Sequence, residues 1–393
     1  MNFGYTPEEE AFREEVRAFI KKEFPEELRW NFGSAFTPAI QAHTGDEWEY
    51  VKMMRAKIGA KGWVSLSWPE AYGGKNSYTL QNIVYEEMQY HNVPGIDHIG
   101  NTFLAPTLLR FGTEEQKRKY LPGIGRGELF WCELLSEPDC GSDLAALKTT
   151  AVEDGDYYVV NGQKTWTTGA HNVQMGFALM RTDPKLLRHK GLSYFMIDMK
   201  SPGITIRPLI DMVDEHELNE VFFDNVRVPK ENMVGGLNKG WYVTMMTLDL
   251  ERYSHSFYAA VRGYLDRLVD YTRQKGISIG PTHRIRLAQL LSECEMAKIM
   301  HYRSASILEK GGTSSYEVAA DKMFNCELAQ RAAELAMQIL GNYGELHKGS
   351  RYAPLNGWPA FFYLDTAAYT MMGGTSEIDR NVIATQGLGL PTT

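Results

Sequence analysis

The fold is decided by residues 151–164, AVEDGDYYVVNGQK, where the hydrophobic pattern changes from a helical period to β-type runs. The β-prone run Tyr157–Val160 lies between Asp154-Gly155 and Asn161-Gly162, two dipeptides that favour type I′ hairpin turns. Similar short runs follow at Leu192–Met199, Ile204–Ile206 and Val221–Phe223. Several strands at this spacing predict a small β-sandwich or β-barrel.

Helical patterns flank this β block on both sides. Before it, a capping-box start at Thr6-Pro7 with Glu9 opens a first helix. Further helical segments follow, one from Asp46, then Leu80–Tyr90 and Thr102–Leu109. After Gly240 the pattern predicts four longer helices: Tyr242–Tyr253, Ser256–Tyr271, Arg284–Glu309 and Ser315–Ile339. We therefore expect an α+β protein with an N-terminal helical domain (residues 1–129), a central β-domain (130–232) and a C-terminal helical bundle (233–393).

Composition disfavours several classes of function. The chain has 393 residues, more than the roughly 250–300 at which a single core stops growing, so several domains are expected. A net charge of −8 disfavours nucleic-acid binding, which needs clustered basic residues. The four cysteines form no C-x-x-C pair and the histidines show no ligand spacing, so no metal site is expected. Without a signal-type start or a run of about 18 apolar residues, we expect a cytoplasmic protein with no membrane span.

Several motifs, in order along the chain, resemble those of the acyl-CoA dehydrogenase family. Residues 136–143 (SEPDCGSD) resemble the family's S/T-E-P-x-x-G-S-D signature, and residues 162–168 (GQKTWTT) resemble its G-x-K-x-W-I/T-T strand. Residues 374–378 (GTSEI) match its C-terminal G-T-S-E-I motif. The resemblance implies the family's fold of helical domain, β-domain and helical bundle. It also implies FAD as the cofactor and an acyl-CoA thioester as the substrate.

The resemblance implies which residues bind the flavin. In the family, the S/T-E-P and W-x-T strands supply an apolar wall and hydrogen-bond donors for the isoalloxazine ring, here Leu135, Ser136, Trp166 and Thr168. Gly141 leaves room for close backbone approach, and Ser142 is positioned for flavin phosphate or CoA. The other implied FAD contacts are Arg273, Gln338, Gly341, Thr375 and Glu377. The adenine-binding segment at residues 273–277 departs from the family pattern, because it lacks the usual Phe-Gly.

The reaction needs a base that removes the α-proton of the thioester. In many family members this base is a Glu directly before the G-T motif, where this chain has Gly373. Isovaleryl-CoA and long-chain members instead carry it in L-x-x-E-R on a helix after the β-domain, which resembles Leu248–Arg252 (LDLER). We therefore predict Glu251 as the base, the Gly373 N–H as a donor to the thioester oxygen, and Arg252 with Ser142 as substrate contacts. Partial burial would raise the pKa of Glu251 toward neutral.

The sequence leaves several alternatives open. The leading hypothesis is α,β-dehydrogenation of a branched, cyclic or otherwise bulky acyl-CoA to the trans-2-enoyl-CoA, with electrons passed to electron-transfer flavoprotein. An acyl-CoA oxidase, which uses oxygen instead, fits the same motifs. A third hypothesis is an FAD-binding partner subunit without dehydrogenase activity, or a nucleic-acid-binding stress protein. Glu251 argues against an inert subunit, and the acidic charge argues against nucleic acid. A homotetramer and a heterotetramer with a related subunit are both compatible with the sequence.

Overall fold

The computed structural model describes residues 4–30 and 45–391. Its N-terminal part is helical, with α1 (Pro7–Glu23), α2 (Gly45–Ala60), α3 (Tyr78–Tyr90), α4 (Ala105–Phe111) and α5 (Glu114–Gly125). The predicted capping box is confirmed, because Thr6 Oγ1 accepts the Glu9 N–H at 3.2 Å and Glu9 Oε2 accepts the Thr6 N–H at 2.7 Å. The segment predicted as a helix from Thr102 begins in π-helical geometry, over Ile99–Leu104, and continues into α4.

The central part of the chain forms one eight-stranded sheet. Its strands are β1 (Trp131–Leu134), β2 (Thr150–Asp154), β3 (Tyr157–Lys164), β4 (Met175–Arg181), β5 (Leu192–Asp198), β6 (Ile204–Leu209), β7 (Leu218–Pro229) and β8 (Met233–Val234). The strand order is β6-β7-β3-β2-β4-β5-β8, and β1 pairs with β4 in parallel. The helix–sheet–helix order predicted from the change of period is confirmed.

The two predicted hairpin turns have different outcomes. β2 and β3 form an antiparallel hairpin in which Asp154 pairs with Tyr157, as the first turn signal predicted. Only the first loop residue, Gly155, has a positive φ (+59°), which is the type II′ rather than the type I′ pattern. The second prediction is wrong, because Asn161-Gly162 lies inside β3 at a bulge opposite β7. A Cβ on Gly162 would lie 2.5 Å from Thr149 Oγ1, so this glycine allows close packing of strand and loop.

The C-terminal part is again helical. It contains α6 (Gly240–Ser254), α7 (Tyr258–Lys275), α8 (Pro281–Glu309), α9 (Tyr316–Leu340), α10 (Trp358–Asp365) and α11 (Ser376–Val382). The side chain of Arg286, near the start of α8, bonds to Gln338 near the end of α9, so these two helices run antiparallel. In the described part of the chain, no helix combines the length and apolarity that crossing a bilayer requires.

Packing between the parts of the fold determines where α6 lies. Its side chain Val243 belongs to one apolar cluster with Leu108 of α4 and with Trp131, Phe177 and Tyr194 of the sheet. On another side α6 contacts α9, the long helix of the C-terminal bundle. The helix is therefore held between the sheet and the bundle, and its C-terminal residues lie where the two meet.

Lys164, at the end of β3, is fully buried. Its ammonium group donates to the carbonyl oxygens of Leu135 at 2.9 Å and Leu179 at 3.0 Å, and it pairs with Glu137 Oε1 at 2.9 Å. A buried charge with a full set of partners is costly to disturb from one side only. This cation therefore fixes the chain at Leu135, directly after β1, against β3 and β4.

We expect Lys164→Met to lower the free energy of unfolding by about 3–5 kcal/mol, because it removes the cation paired with the buried Glu137 carboxylate and the ammonium donor to the Leu135 and Leu179 carbonyl oxygens. The matched control is Lys148→Met, which removes an ammonium group that is 75% exposed and pairs only with an exposed Asp139. Such a surface pair contributes about 0–1 kcal/mol. Urea denaturation of the two variants measures the difference, and equal losses would contradict the role given to Lys164.

Candidate active site

The C-terminal turn of α6 carries Glu251. The helix buries Val243, Thr247 and Leu250 against the rest of the protein, while the Glu251 side chain is only partly buried. Burial raises the pKa of Glu251 to about 7; Asp379 acts in the same direction, and nearby cations partly oppose the rise. A carboxyl group with a pKa in this range can both lose and accept a proton near neutral pH. The predicted base therefore has the electrostatic setting that its proposed role needs.

A second carboxyl group, that of Glu133 on β1, lies close enough to the Glu251 carboxyl group for the two to share a hydrogen bond. Burial, and next the charge of Glu251, raise the pKa of Glu133 well above its ordinary range. Glu133 Oε1 is buried and has no hydrogen-bond partner among the described residues. No motif predicted this residue. The one signal in the sequence is an isolated acidic residue in the apolar run WCELL, residues 131–135.

A network of buried ion pairs connects α6 to α9 and α11. Arg252 Nε lies 3.1 Å from Asp379 Oδ1, and Arg252 Nη1 lies 2.9 Å from Asp249 Oδ1. Lys322 on α9 approaches the other oxygen of Asp379 at 3.3 Å and also donates to the Gly374 carbonyl. The guanidinium of Arg252, which the sequence assigned to substrate binding, is thus turned toward two carboxylates of its own chain. Its contact with substrate stays a prediction.

Gly373 occupies a position that no side chain can share. Its φ is +62°, a left-handed conformation that favours glycine. A Cβ built on it would lie 2.9 Å from the Cε1 and Nε2 atoms of His255. The imidazole is held in place because its Nδ1–H donates to the Glu251 carbonyl oxygen at 2.7 Å. Burial, with Lys322 nearby, lowers the pKa of His255 to about 4, so the ring is neutral at pH 7.

Three of the residues assigned to the flavin ring, Leu135, Ser136 and Trp166, lie close together just after the ends of β1 and β3. The Thr165 N–H donates to the Ser136 carbonyl at 3.0 Å, which places the loop segment Leu135-Ser136 beside Trp166. The indole of Trp166 is 62% exposed, and its backbone has a left-handed φ of +59°. Strained conformations of this kind cluster at functional sites. Next to it, Thr167 Oγ1 is buried without a hydrogen-bond partner in the described structure. A flat apolar face beside an unsatisfied hydroxyl fits a planar ring with polar edges.

The other residues of the motifs are exposed or partly buried. A Cβ added to Gly141 would meet no atom within 4 Å, and Ser142 is exposed beside it. Thr375 caps α11, since its Oγ1 accepts the Ile378 N–H at 3.2 Å, and Glu377 is exposed in the first turn of that helix. In the described ranges, no group of three or more His, Cys, Asp or Glu side chains is placed to hold a metal ion.

Three of the predicted FAD contacts lie away from this group. Arg273 is at the end of α7, and Gln338 and Gly341 are at the end of α9; all three are exposed. Gln338 is sixteen residues beyond Lys322 on the same helix, which at 1.5 Å per residue is about 24 Å along its axis. The predicted cofactor residues therefore form two separate sets, one near Glu251 and one at the far end of the bundle.

Comparisons with known proteins cover nearly the whole chain. Residues 6–128 match the family model of the acyl-CoA dehydrogenase N-terminal domain, residues 132–226 the middle domain, and residues 238–388 the C-terminal domain. The chain is 34% identical over 385 residues to the acyl-CoA dehydrogenase IpdE1 of Mycobacterium tuberculosis, an alignment that covers 96% of this chain and 98% of that protein.

Two solved structures are similar over their full length. The Tcur3481-Tcur3483 steroid ACAD superposes with a TM-score of 0.91 at 28% identity, and the ChsE4-ChsE5 complex from Mycobacterium tuberculosis with a TM-score of 0.87 at 32% identity. Each comparison covers 100% of both chains. With all three domain models matched in order and a relative above 30% identity over almost the entire length, the chain belongs to the acyl-CoA dehydrogenase family, whose members are enzymes that act on acyl-CoA.

Proposed function

We propose that the protein is an FAD-dependent acyl-CoA dehydrogenase that converts an acyl-CoA thioester to its trans-2-enoyl-CoA, with Glu251 as the base. The observation that carries this proposal is the carboxyl group of Glu251. It is held at the junction of sheet and bundle, with its pKa raised to about 7 by burial. Removal of a proton α to a thioester requires a base of this kind, aimed from a site that largely excludes water.

Each residue of the candidate site has its own proposed role in the reaction. Glu251 takes the α-proton, so that a C–H bond breaks and an O–H bond forms on its carboxyl group. The Gly373 N–H is proposed to donate to the thioester oxygen, where negative charge develops. Lys322 restrains the adjoining Gly374 carbonyl and so orients this loop. Leu135, Ser136, Trp166 and Thr168 would hold the flavin ring. Bound FAD would supply the hydride acceptor for the β-hydrogen, the second hydrogen that is lost when the α,β double bond forms.

Gly373 supports the assignment of the base to α6. In the relatives that carry the base before the G-T motif, that position bears a glutamate side chain. Here the left-handed φ and the imidazole of His255, 2.9 Å from a Cβ, leave no room for any side chain. Asp249, the other acid on this part of α6, is committed to Arg252 at 2.9 Å and bonds to Ser315 at 3.3 Å. Glu251 is therefore the better placed of the two acids on α6.

We also propose a class of substrate, an oligomeric state and an electron acceptor. We propose a branched, cyclic or otherwise bulky acyl group, a proposal supported by the likeness to a structure described as a steroid ACAD. We also propose a tetramer, either of this chain alone or with a related subunit. The far set of FAD residues, Arg273, Gln338 and Gly341, would then serve the cofactor of a neighbouring subunit. Electron-transfer flavoprotein is the proposed acceptor. An acyl-CoA oxidase remains the second candidate because the motifs are shared.

We expect Glu251→Gln to keep bound FAD and the parental unfolding midpoint but to lose flavin reduction by about 10²–10⁴-fold, the usual contribution of a general base. The measurement is anaerobic bleaching of the flavin absorbance by a panel of straight, branched, cyclic and aromatic acyl-CoAs. Retention of near-parental bleaching would rule out Glu251 as the base. Mixing the reduced parent with air or with electron-transfer flavoprotein then separates the oxidase from the dehydrogenase.

We expect Gly373→Ala to slow flavin reduction and to destabilise the protein, because the new Cβ strains a left-handed backbone and displaces His255. The matched control is Gly311→Ala, at a φ of +74° with no atom within 4 Å of the new Cβ. The control should show only the backbone cost, about 1–2 kcal/mol, and a parental rate. Urea denaturation and stopped-flow bleaching measure both effects. Similar rates in the two variants would contradict the steric role of His255.

A further inference from the structure

Glu133 is the only charged residue of β1, a strand whose other residues are Trp131, Cys132 and Leu134. Its register partner on β4 is Phe177, which belongs with Trp131 and Tyr194 to one buried apolar cluster. The Tyr194 hydroxyl is buried and is close enough for the Glu133 carboxyl group to affect its pKa. A carboxyl group at such a place is costly unless it is neutral or fully hydrogen-bonded.

The contacts of Glu133 match those of a neutral acid. One oxygen, Oε1, is buried without a hydrogen-bond partner in the described structure, whereas an ionised carboxylate would need donors at both oxygens. The group lies close enough to share a hydrogen bond with another carboxyl, that of Glu251. Two carboxyl groups can form such a bond only when one of them carries the proton. The pair therefore shares a proton.

We propose that Glu133 is a positioning residue that stays protonated and donates its carboxyl hydrogen bond to Glu251, which keeps the base ionised and aimed at the substrate. The inference rests on the proposed function of Glu251 as the base. It gives Glu133 of β1 a role in setting the protonation state of the proposed base on α6.

The charges around the pair decide which carboxyl holds the proton. From α6 and α9, Arg252 and Lys322 place two positive charges near Glu251 and favour its ionised form. Asp379 of α11 opposes them, but it is itself paired with both cations. His255, after α6, is neutral. On the other side, Glu133 faces Glu251 and the neutral Tyr194 hydroxyl, so Glu251 ionises first.

The arrangement has a consequence for proton transfer. Before the reaction the pair holds one proton and one negative charge. When Glu251 accepts the α-proton, the pair holds two protons and no charge. The low-dielectric site therefore loses a buried charge on the protein as negative charge develops on the thioester oxygen. Glu133 gains and loses no proton in this step, so its role is to set the state of Glu251 rather than to react.

The test is the pH dependence of flavin reduction in Glu133→Leu and Glu133→Gln. Glu251 must be ionised to act, so the rate rises with pH through its pKa. Leucine removes the hydrogen-bond donor and therefore raises the pKa of Glu251. We expect the rising limb to move at least about one pH unit higher, which corresponds to a tenfold lower rate below the midpoint. The rate should recover at high pH. Glutamine can still donate through its amide and should leave the limb near its parental position.

A shift of the rising limb to lower pH would indicate that Glu133 is ionised rather than protonated. If Glu133 were ionised, its removal would relieve repulsion and move the limb of Glu133→Leu to lower pH. A shift to lower pH, or no shift, would overturn the proposal. Glu251→Gln in the same assay separates the two levels of inference. If that variant is active, the base is wrongly assigned; if it is inactive while Glu133→Leu titrates like the parent, only the role of Glu133 fails.

A readout independent of turnover is the infrared carbonyl band of a protonated carboxylic acid. The difference spectrum between the parent protein and Glu133→Gln, recorded at a pH above the pKa of Glu251, should contain such a band, and the band should shift in heavy water. Flavin content and unfolding midpoints of both variants control for misfolding. A difference spectrum without this band would overturn the proposal.

Discussion

Two buried cations, Arg252 and Lys322, converge on the single carboxylate of Asp379, and the candidate site depends on this arrangement. The three residues come from three helices, α6, α9 and α11, so their pairing fixes how those helices meet. Because both Lys322 and Asp379 are fully buried, the loss of any one partner would leave an uncompensated charge inside the protein. The network also sets the electrostatics of Glu251, since its cations counteract part of the rise in pKa that burial causes.

The sheet and the loop after β1 supply the remaining residues of the candidate site. β1 brings Glu133 to Glu251, and the loop that follows β1 carries Leu135 and Ser136 toward Trp166. Lys164 holds that loop in place from inside the sheet through the Leu135 carbonyl. The acid–base residues and the proposed flavin surface are thus joined through one continuous stretch, residues 131–136, anchored by one buried ammonium group. A rigid support of this kind keeps reacting groups aligned without reorganisation.

Much of this could be predicted from the sequence, and the exceptions have physical reasons. The change of period at Ala151 indicated the α–β–α order, and the absence of an acid at Gly373 led to Glu251. Asn161-Gly162 was misjudged as a turn because a glycine that makes room for Thr149 has the same local signature as a turn glycine. Glu133 was not predicted because its importance lies in a contact with a residue more than a hundred positions away. Local sequence patterns do not predict contacts between residues so far apart in the chain. For the same reason they did not predict the ion pairs of Arg252 and Lys322 with Asp379.

The contact between Gly373 and His255 also bears on how this site can change over evolutionary time. A single substitution at Gly373 would place the new side chain against the imidazole of His255 and in a strained left-handed backbone conformation. A substitution at His255 alone opens space but supplies no acid. A carboxylate on the loop therefore requires changes at both positions, whereas the proposed carboxylate on α6 is compatible with the glycine and the imidazole as they stand.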